Sequence, residues 1–308
     1  MTIREIGGGT AIVDLLHQGS ADVIGANVLD LADGIALVDP GPEARLHTLR
    51  EGLAAMGHSL GSVRAVLLTH IHLDHATATG AIVREAPRAK VYVHSVGAPH
   101  MADPSRLLAS AGRIYGDAMA TLWGDFLPVP RGSIREVGEG DVVALGGRRF
   151  QVAYVPGHAK HHVAYYEAAT GTAWVGDVGG IRIGGGPALP VTPPPDIDVE
   201  AWGASMDRVM AWAPRRIVAT HFGAYDDVAE HFAELRRGLA GWAGHVRGSL
   251  ASRDRTVPDD PARARAFGQW VAAGLREQVP PELADTYGTA SGFVGSWWGL
   301  ARYWRKRA

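Results

Sequence analysis

The chain contains no cysteine, so neither a disulfide framework nor a thiolate metal ligand can be built. Any bound metal must be held by imidazole and carboxylate. The chain also lacks an excess of either charge. Lys and Arg number 30 against 32 Asp and Glu, for a net charge of -2. That balance gives no electrostatic reason to expect a nucleic-acid partner. No apolar run reaches the length of a membrane span, and Met1-Thr2-Ile3-Arg4-Glu5 carries no signal-peptide core. A cytoplasmic location is the resulting expectation. Apolar residues make up 46% of the 308 positions, enough for a sizeable buried core. What stands out is histidine: 14 of them, several crowded together.

The first third alternates strand and helix signals. Ala11-Ile12-Val13, Asn27-Val28-Leu29 and Gly34-Ile35-Ala36-Leu37-Val38 read as strands, the last closed by the turn Asp39-Pro40-Gly41. Leu46, Leu49, Leu53 and Met56 give helical spacing over 42–57. Val63 to Leu68 is another apolar strand, 76–86 an Ala-rich helix, and Val91-Tyr92-Val93-His94 a strand again. Residues 95–131 interrupt the pattern with helix formers, Gly and Pro, and carry Tyr115, Trp123 and Phe126. They read as an inserted, lid-like segment of short helices. Strands resume at 141–145, 149–155, 163–167 and 172–176. A Gly- and Pro-rich loop fills 179–197, a helix 198–212, and a last strand Arg216–Ala219. Beyond 226 only helices are expected, three or four of them, the last near 288–306. The division implied is a catalytic domain over 1–225 and a helical extension over 226–308, with α/β layering. Pattern alone does not say which strands pair.

Chemistry concentrates at Thr69-His70-Ile71-His72-Leu73-Asp74-His75. Three imidazoles and a carboxylate follow directly on an apolar strand. In extended chain, residues two apart point the same way, so His70 and His72 can share one metal. The turn that follows can send Asp74 and His75 toward a second. Zinc accepts both donor types at about 2.0–2.2 Å. Three further polar residues also stand just past strand ends: His158 in Pro156-Gly157-His158, Asp177 after Gly176, and His221 in Thr220-His221-Phe222-Gly223. Strand ends are where α/β folds collect their functional loops. No Gly-x-Ser-x-Gly elbow and no phosphate loop competes with this set.

Taken in order, His70-x-His72-x-Asp74-His75, His158, Asp177 and His221 resemble the metallo-β-lactamase superfamily. The likeness runs over about residues 10–225 and includes Asp39-Pro40-Gly41 as the turn before the first helix. It implies an αββα sandwich with two metals at one edge. One metal would take His70, His72 and His158, and the other Asp74, His75 and His221. Asp177 would bridge them. A bridging aspartate is typical of the glyoxalase-II-like and lactonase-like branches, and Pro156-Gly157-His158 is similar to the former. The run then departs from that branch, continuing as Ala159-Lys160-His161-His162.

The resemblance implies two zinc ions, with iron or manganese as substitutes. It implies a hydroxide held between ions about 3.5–4 Å apart that attacks esters, lactones or thioesters. Asp74 is the candidate catalytic side chain, orienting that nucleophile or moving its proton. Competing expectations are phosphodiester hydrolysis on the same site, a mononuclear-iron persulfide dioxygenase using mainly His70, His72 and His158, and a non-catalytic metal-binding module. The substrate is expected to be a small molecule, contacted by Tyr115, Trp123, Phe126 and His162. His161 and His162 can instead stand behind His158 as supporting partners. Of Tyr165 and Tyr166, one should face the core. The aromatic and basic tail from Trp297 to Arg307 is expected to pack on the domain or on a partner subunit, which leaves a homodimer open; lying on a membrane surface is the alternative.

Overall fold

The coordinates, a computed structural model, describe residues 2–251 and 259–307. The chain opens with β1 (Ile3–Glu5), β2 (Thr10–Asp14), β3 (Gly25–Leu31) and β4 (Gly34–Val38), then α1 (Leu46–Ala55) and β5 (Val63–Leu67). Next come α2 (Leu73–Ala76), α3 (Thr79–Glu85) and β6 (Lys90–His94). The inserted segment holds α4 (Ala98–Ala102), α5 (Ser105–Tyr115) and α6 (Met119–Trp123). It leads into β7 (Ile134–Val137), β8 (Val142–Leu145), β9 (Arg148–Tyr154), β10 (Val163–Glu167) and β11 (Thr172–Trp174). After a long loop come α7 (Val199–Met210), β12 (Arg216–Ala219) and β13 (Gly223–Tyr225). Four helices close the chain: α8 (Val228–Ala251), α9 (Asp260–Arg276), α10 (Pro281–Ser291) and α11 (Phe293–Arg305).

Two sheets form. The first runs β1 to β7 in chain order, antiparallel up to β4 and parallel from there. The second runs β13-β12-β11-β10-β9-β8, with β11 and β12 its parallel pair. Both faces of the inner strands are apolar, so side chains alternate between two cores. In β4, Ile35 and Leu37 face α1 and α3, while Ala36 and Val38 face the other sheet. In β11, Trp174 enters the space between the sheets and Ala173 faces the α7 side. Three apolar layers thus separate four layers of structure: helices, sheet, sheet, helices. The fold is the αββα sandwich, with a helical C-terminal region.

Three strands escape the sequence pattern: β1, β7 and β13. Each lies at a sheet edge, where one row of backbone groups faces no neighbour and strong apolar alternation is not required. The last helix, expected near 288–306, is α11 and starts later, because Gly292 takes a left-handed conformation (φ 54°) between α10 and α11. The tail packs on the body. Trp297, Leu300 and Tyr303 are buried, and Trp304 Nε1 donates to Ala243 O at 2.8 Å. Two of its cations are paired, Arg305 with Asp260 at 2.7 Å and Arg307 with Glu200 at 2.9 Å. Exposed pairs of this kind add little stability; the buried aromatics carry the contact. No helix among the described residues is long and apolar enough to cross a membrane.

Candidate metal centre

Every cluster residue lies past the C-terminal end of a strand: β5 for His70 to His75, β9 for His158, β11 for Asp177 and β12 for His221. The expected turn after His72 is helical, so Asp74 and His75 sit in the first turn of α2. The Pro156-Gly157 turn is held by α7. Ser205 Oγ donates to Pro156 O at 2.5 Å, and Asp198 N, at the helix cap, donates to Gly157 O at 2.8 Å. Gly157 has φ 131°, and a Cβ there would run into the Trp202 backbone. Only glycine permits that approach.

The seven side chains fall into two sets. His72 Nδ1 lies 3.0 Å from His70 Nε2 and 2.9 Å from His158 Nε2. His158 Nδ1 donates to Val191 O at 2.8 Å, which leaves its Nε2 a lone pair. His70 Nδ1 meets Thr69 Oγ1 at 3.1 Å, and that hydroxyl is already spent on Asp39 at 2.7 Å. The ring must therefore donate, and its Nε2 too is a lone pair. A single proton on His72 cannot satisfy both neighbours. Three converging nitrogens at this spacing are close to the roughly 3.3 Å that tetrahedral zinc bonds dictate.

The second set is Asp74, His75 and His221. His221 Nε2 lies 3.2 Å from Asp74 Oδ2, and His75 Nε2 lies 3.6 Å from the same oxygen. Asp177 stands between the sets. Its Oδ1 faces His75 Nε2 at 3.2 Å and His221 Nε2 at 3.6 Å, and its Oδ2 faces His158 Nε2 at 3.4 Å. His75 Nε2 and Asp177 Oδ1 are buried without a hydrogen-bond partner among the described residues. Orphaned buried atoms of this kind are costly unless something else binds them. Ligand atoms within 4.8 Å of one another make three metal-competent groups: His70, His72 and His158; His70, His75 and Asp177; and Asp74, His75 and His221. The donors present fit divalent cations.

Charge follows the geometry. Burial pushes the His70 imidazole well below its ordinary value and His72 down to about 3. His75 is fully buried as well, yet Asp177, Asp74 and Asp39 hold it well above its ordinary value. Against their own burial, Asp74 and Asp177 are kept low by His75 and His221. Asp74 and His72 are the partly exposed members and mark the open side.

The proposed contact residues divide. Tyr115 meets Trp123 edge-on at 5.2 Å, and Trp123 stacks on His17 at 5.3 Å and 12°. The Asp74 charge acts on Tyr115 and on His17, which places this aromatic wall beside the second set. Trp123 and Phe126 are both buried in the core outside the first sheet, and Tyr115 alone of the aromatic contact residues stands exposed. His162 is fully enclosed, stacked behind His70 at 4.8 Å and 16°. Neither Phe126 nor His162 is on an open wall, since both side chains are buried. His161 sits edge-on to His72 at 5.5 Å. Tyr165 is the core member of its pair, donating to Leu68 O at 3.0 Å.

Asp39 and His17 were missed by sequence reasoning. Asp39 reads as a turn residue, yet its buried carboxylate accepts from Thr69 N and Oγ1, from His75 Nδ1 and from Thr220 Oγ1. The Thr directly before His70 and before His221 was the available signal. His17 is a lone histidine in a polar turn and had none.

The sequence pattern of the metallo-beta-lactamase superfamily matches residues 26–221. A metallo-beta-lactamase fold-containing protein of Sulfurisphaera tokodaii is 28% identical over 175 residues, which is 55% of this chain and 65% of that protein. A hydroxyacylglutathione hydrolase of Synechococcus sp. is 30% identical over 142 residues, 46% of this chain and 42% of that one. The chain therefore spans less than two thirds of the length of these curated relatives. A solved metallo-beta-lactamase family protein of Thermus thermophilus covers 98% of this chain and 95% of its own, with a TM-score of 0.72 and 19% identity, a likeness of fold. Fold, site order and a match over most of the chain agree: the protein belongs to the metallo-beta-lactamase superfamily.

Proposed function

We propose that the protein is a dinuclear metal-dependent hydrolase of carboxylic esters, lactones or thioesters. The observation that carries this reading is Asp177, whose two oxygens face opposite sets of nitrogen donors. His70, His72 and His158 would hold one ion and Asp74, His75 and His221 the other, with Asp177 between. Nitrogen and oxygen donors without a thiolate suit zinc, and iron or manganese can occupy such sites. Bound there, two divalent cations supply a nucleophilic hydroxide near neutral pH and polarise the scissile carbonyl.

The chain's own residues then do the positioning. Asp39 and the carbonyls of Val191 and Val23 each accept from an Nδ1, of His75, His158 and His221 respectively, so each Nε2 faces inward. Asp74, on the open side, is placed to accept a proton from the nucleophile and return it to the leaving group. The hydroxyacylglutathione hydrolase relative supports thioesters as one substrate class. The catalytic unit is residues 1–225, with 226–308 a supporting extension. Elemental analysis should give close to two metals per chain. Initial rates should be read with aryl esters, lactones, glutathione thioesters and aryl phosphodiesters. One metal at full activity would overturn the dinuclear reading, and turnover of the phosphodiester alone would overturn the acyl reading.

A further inference from the structure

Helix α5 carries its apolar side chains on one face, and only part of that face is covered. Leu107, Leu108, Ala111, Ile114 and Tyr115 recur at helical spacing. Ala111 is buried, and Leu107 and Leu108 pack against the core outside the first sheet. Ile114 and Tyr115, at the C-terminal end, are 59% and 36% exposed. Other large apolar side chains are exposed singly, at Val96, Val142, Met210, Trp270 and Val294. Among the described residues only Ile114 and Tyr115 are exposed as chain neighbours. Scattered single residues are ordinary surface, whereas grouped apolar side chains at the rim of a functional site mark a contact surface.

This uncovered end stands beside the metal centre. The Tyr115 ring meets Trp123 edge-on at 5.2 Å. Trp123 is tied in turn to α2, the helix that bears Asp74 and His75. The Thr77 hydroxyl donates between Trp123 O, at 2.9 Å, and Leu73 O of α2, at 3.0 Å. α5 stops at Gly116 (φ 51°), where the chain turns back toward α6. Partial burial and the Asp74 charge push the Tyr115 phenol up to about 12, so the ring is neutral at physiological pH.

We propose that Ile114 and Tyr115 hold the apolar arm of the leaving group, the alcohol or thiol side of the bond that is cut. The side follows from Asp74. Its Oδ2 faces His221 and His75, at 3.2 and 3.6 Å, and so belongs to the second metal position. Its Oδ1 is the oxygen left to return a proton to the departing oxygen or sulfur. A leaving group attended by Asp74 has its substituent beside Tyr115. The assignment rests on the proposed acyl hydrolysis and names which end of the substrate is read. Compounds with a chain of several carbons on the alcohol or thiol are preferred over isomers with the same chain on the acyl side.

S-Hexyl thioacetate and S-ethyl thiohexanoate are isomers that differ in which side bears the chain. Thiol release by the zinc-loaded full-length protein gives kcat/KM for both. The wild type should favour S-hexyl thioacetate by about tenfold or more, since each methylene moved from water onto an apolar wall adds to binding. Ile114→Ala and Tyr115→Ala should each cut that preference by about threefold, and the double variant should remove it. Tyr115→Phe, which keeps the ring, should retain it, as should the control Val142→Ala on β8. Both proposed residues are exposed, so thermal melting should show the variants folded. Calorimetry with N-hexylacetamide and N-ethylhexanamide, also isomers, repeats the comparison without turnover. No preference in the wild type, a preference for the chain on the acyl side, or a preference that survives the double variant would overturn the assignment. If neither thioester is hydrolysed but the amide margin appears and is lost in the double variant, acyl hydrolysis falls and the apolar contact stands. If both thioesters are hydrolysed without a margin, the reverse holds.

Discussion

The Asp39 carboxylate accepts the His75 Nδ1 proton at 2.9 Å, with both side chains wholly buried. One oxygen thereby fixes the tautomer that leaves His75 Nε2 facing Asp177 and Asp74. The same carboxylate also takes Thr69 and Thr220, so it joins the ends of β5 and β12. Asp39 has a left-handed backbone (φ 47°), which Asp tolerates better than most residues.

Replacing Asp39 with Asn should weaken metal affinity about 10- to 100-fold, the usual effect of losing a partner behind a metal-binding histidine. The loss should fall on the ion held by Asp74, His75 and His221. Competition with a chelator, read by elemental analysis, checks it. Equal affinity in variant and wild type would show that Asp39 only braces the fold.

Asp177→Ala should remove the shared carboxylate, lower metal content toward one ion per chain and abolish most hydrolysis, while the melting temperature of the apo-protein holds. His245→Ala and His94→Ala are the controls. His245 stacks on Trp270 at 4.1 Å and His94 on Tyr154 at 4.5 Å, outside the metal-competent groups. Both controls should retain full metal content. Two ions and a near-normal rate in Asp177→Ala would reduce Asp177 to a structural role.

Acid should destabilise the fold partly through His231. Burial pushes its imidazole down to about 4, while Nε2 meets Gly179 O at 2.7 Å. The unfolded chain titrates near 6.5. Between those values the unfolded state binds the extra proton, so stability falls as pH drops from about 6.5 to about 4, by about 3 kcal/mol for a shift of this size. His231→Gln, which keeps a donor, should flatten this limb in denaturant melts from pH 7 to pH 4. An unchanged slope would place the acid sensitivity elsewhere.

Gly299 and Gly295 share α11 and should respond oppositely to alanine. A Cβ at Gly299 would collide with Thr192 O, whereas one at Gly295 meets nothing within 4 Å. Gly295→Ala should raise stability by up to about 1 kcal/mol through helix propensity. Gly299→Ala should lower it by about 1–3 kcal/mol, as overpacking does. Urea melts of the two variants give the comparison.

The site was legible because its ligands crowd at strand ends within one short motif and three brief echoes of it. The apolar runs of β4 and β5 pointed only to α/β layering, and the four-layer sandwich came from the family resemblance that the ligand motif carries. What stayed hidden depends on long-range contact. His17 and Trp123 lie far apart in sequence, and no local period links them. Asp39 gives the same turn signal whether or not a histidine stands behind it. Phe126 and His162 read as substrate-wall residues because aromatics near a metal motif suggest one, yet only the course of the backbone decides which way each faces. The short edge strands β1, β7 and β13 draw their order from a neighbour rather than from their own composition.

The link from α11 to the metal centre is short. Ser296 Oγ accepts from Thr192 N at 3.3 Å and Ser296 O from Thr192 Oγ1 at 3.0 Å, one residue from the carbonyl that orients His158. A minimal version of the protein ending near residue 225 would retain all seven proposed ligands and the Val191 carbonyl, and would lose the Ser296 contacts that hold the neighbouring Thr192. A domain transplant that exchanged the C-terminal helices for those of a relative would have to carry the 191–197 loop with them to keep the Thr192–Ser296 contacts behind His158.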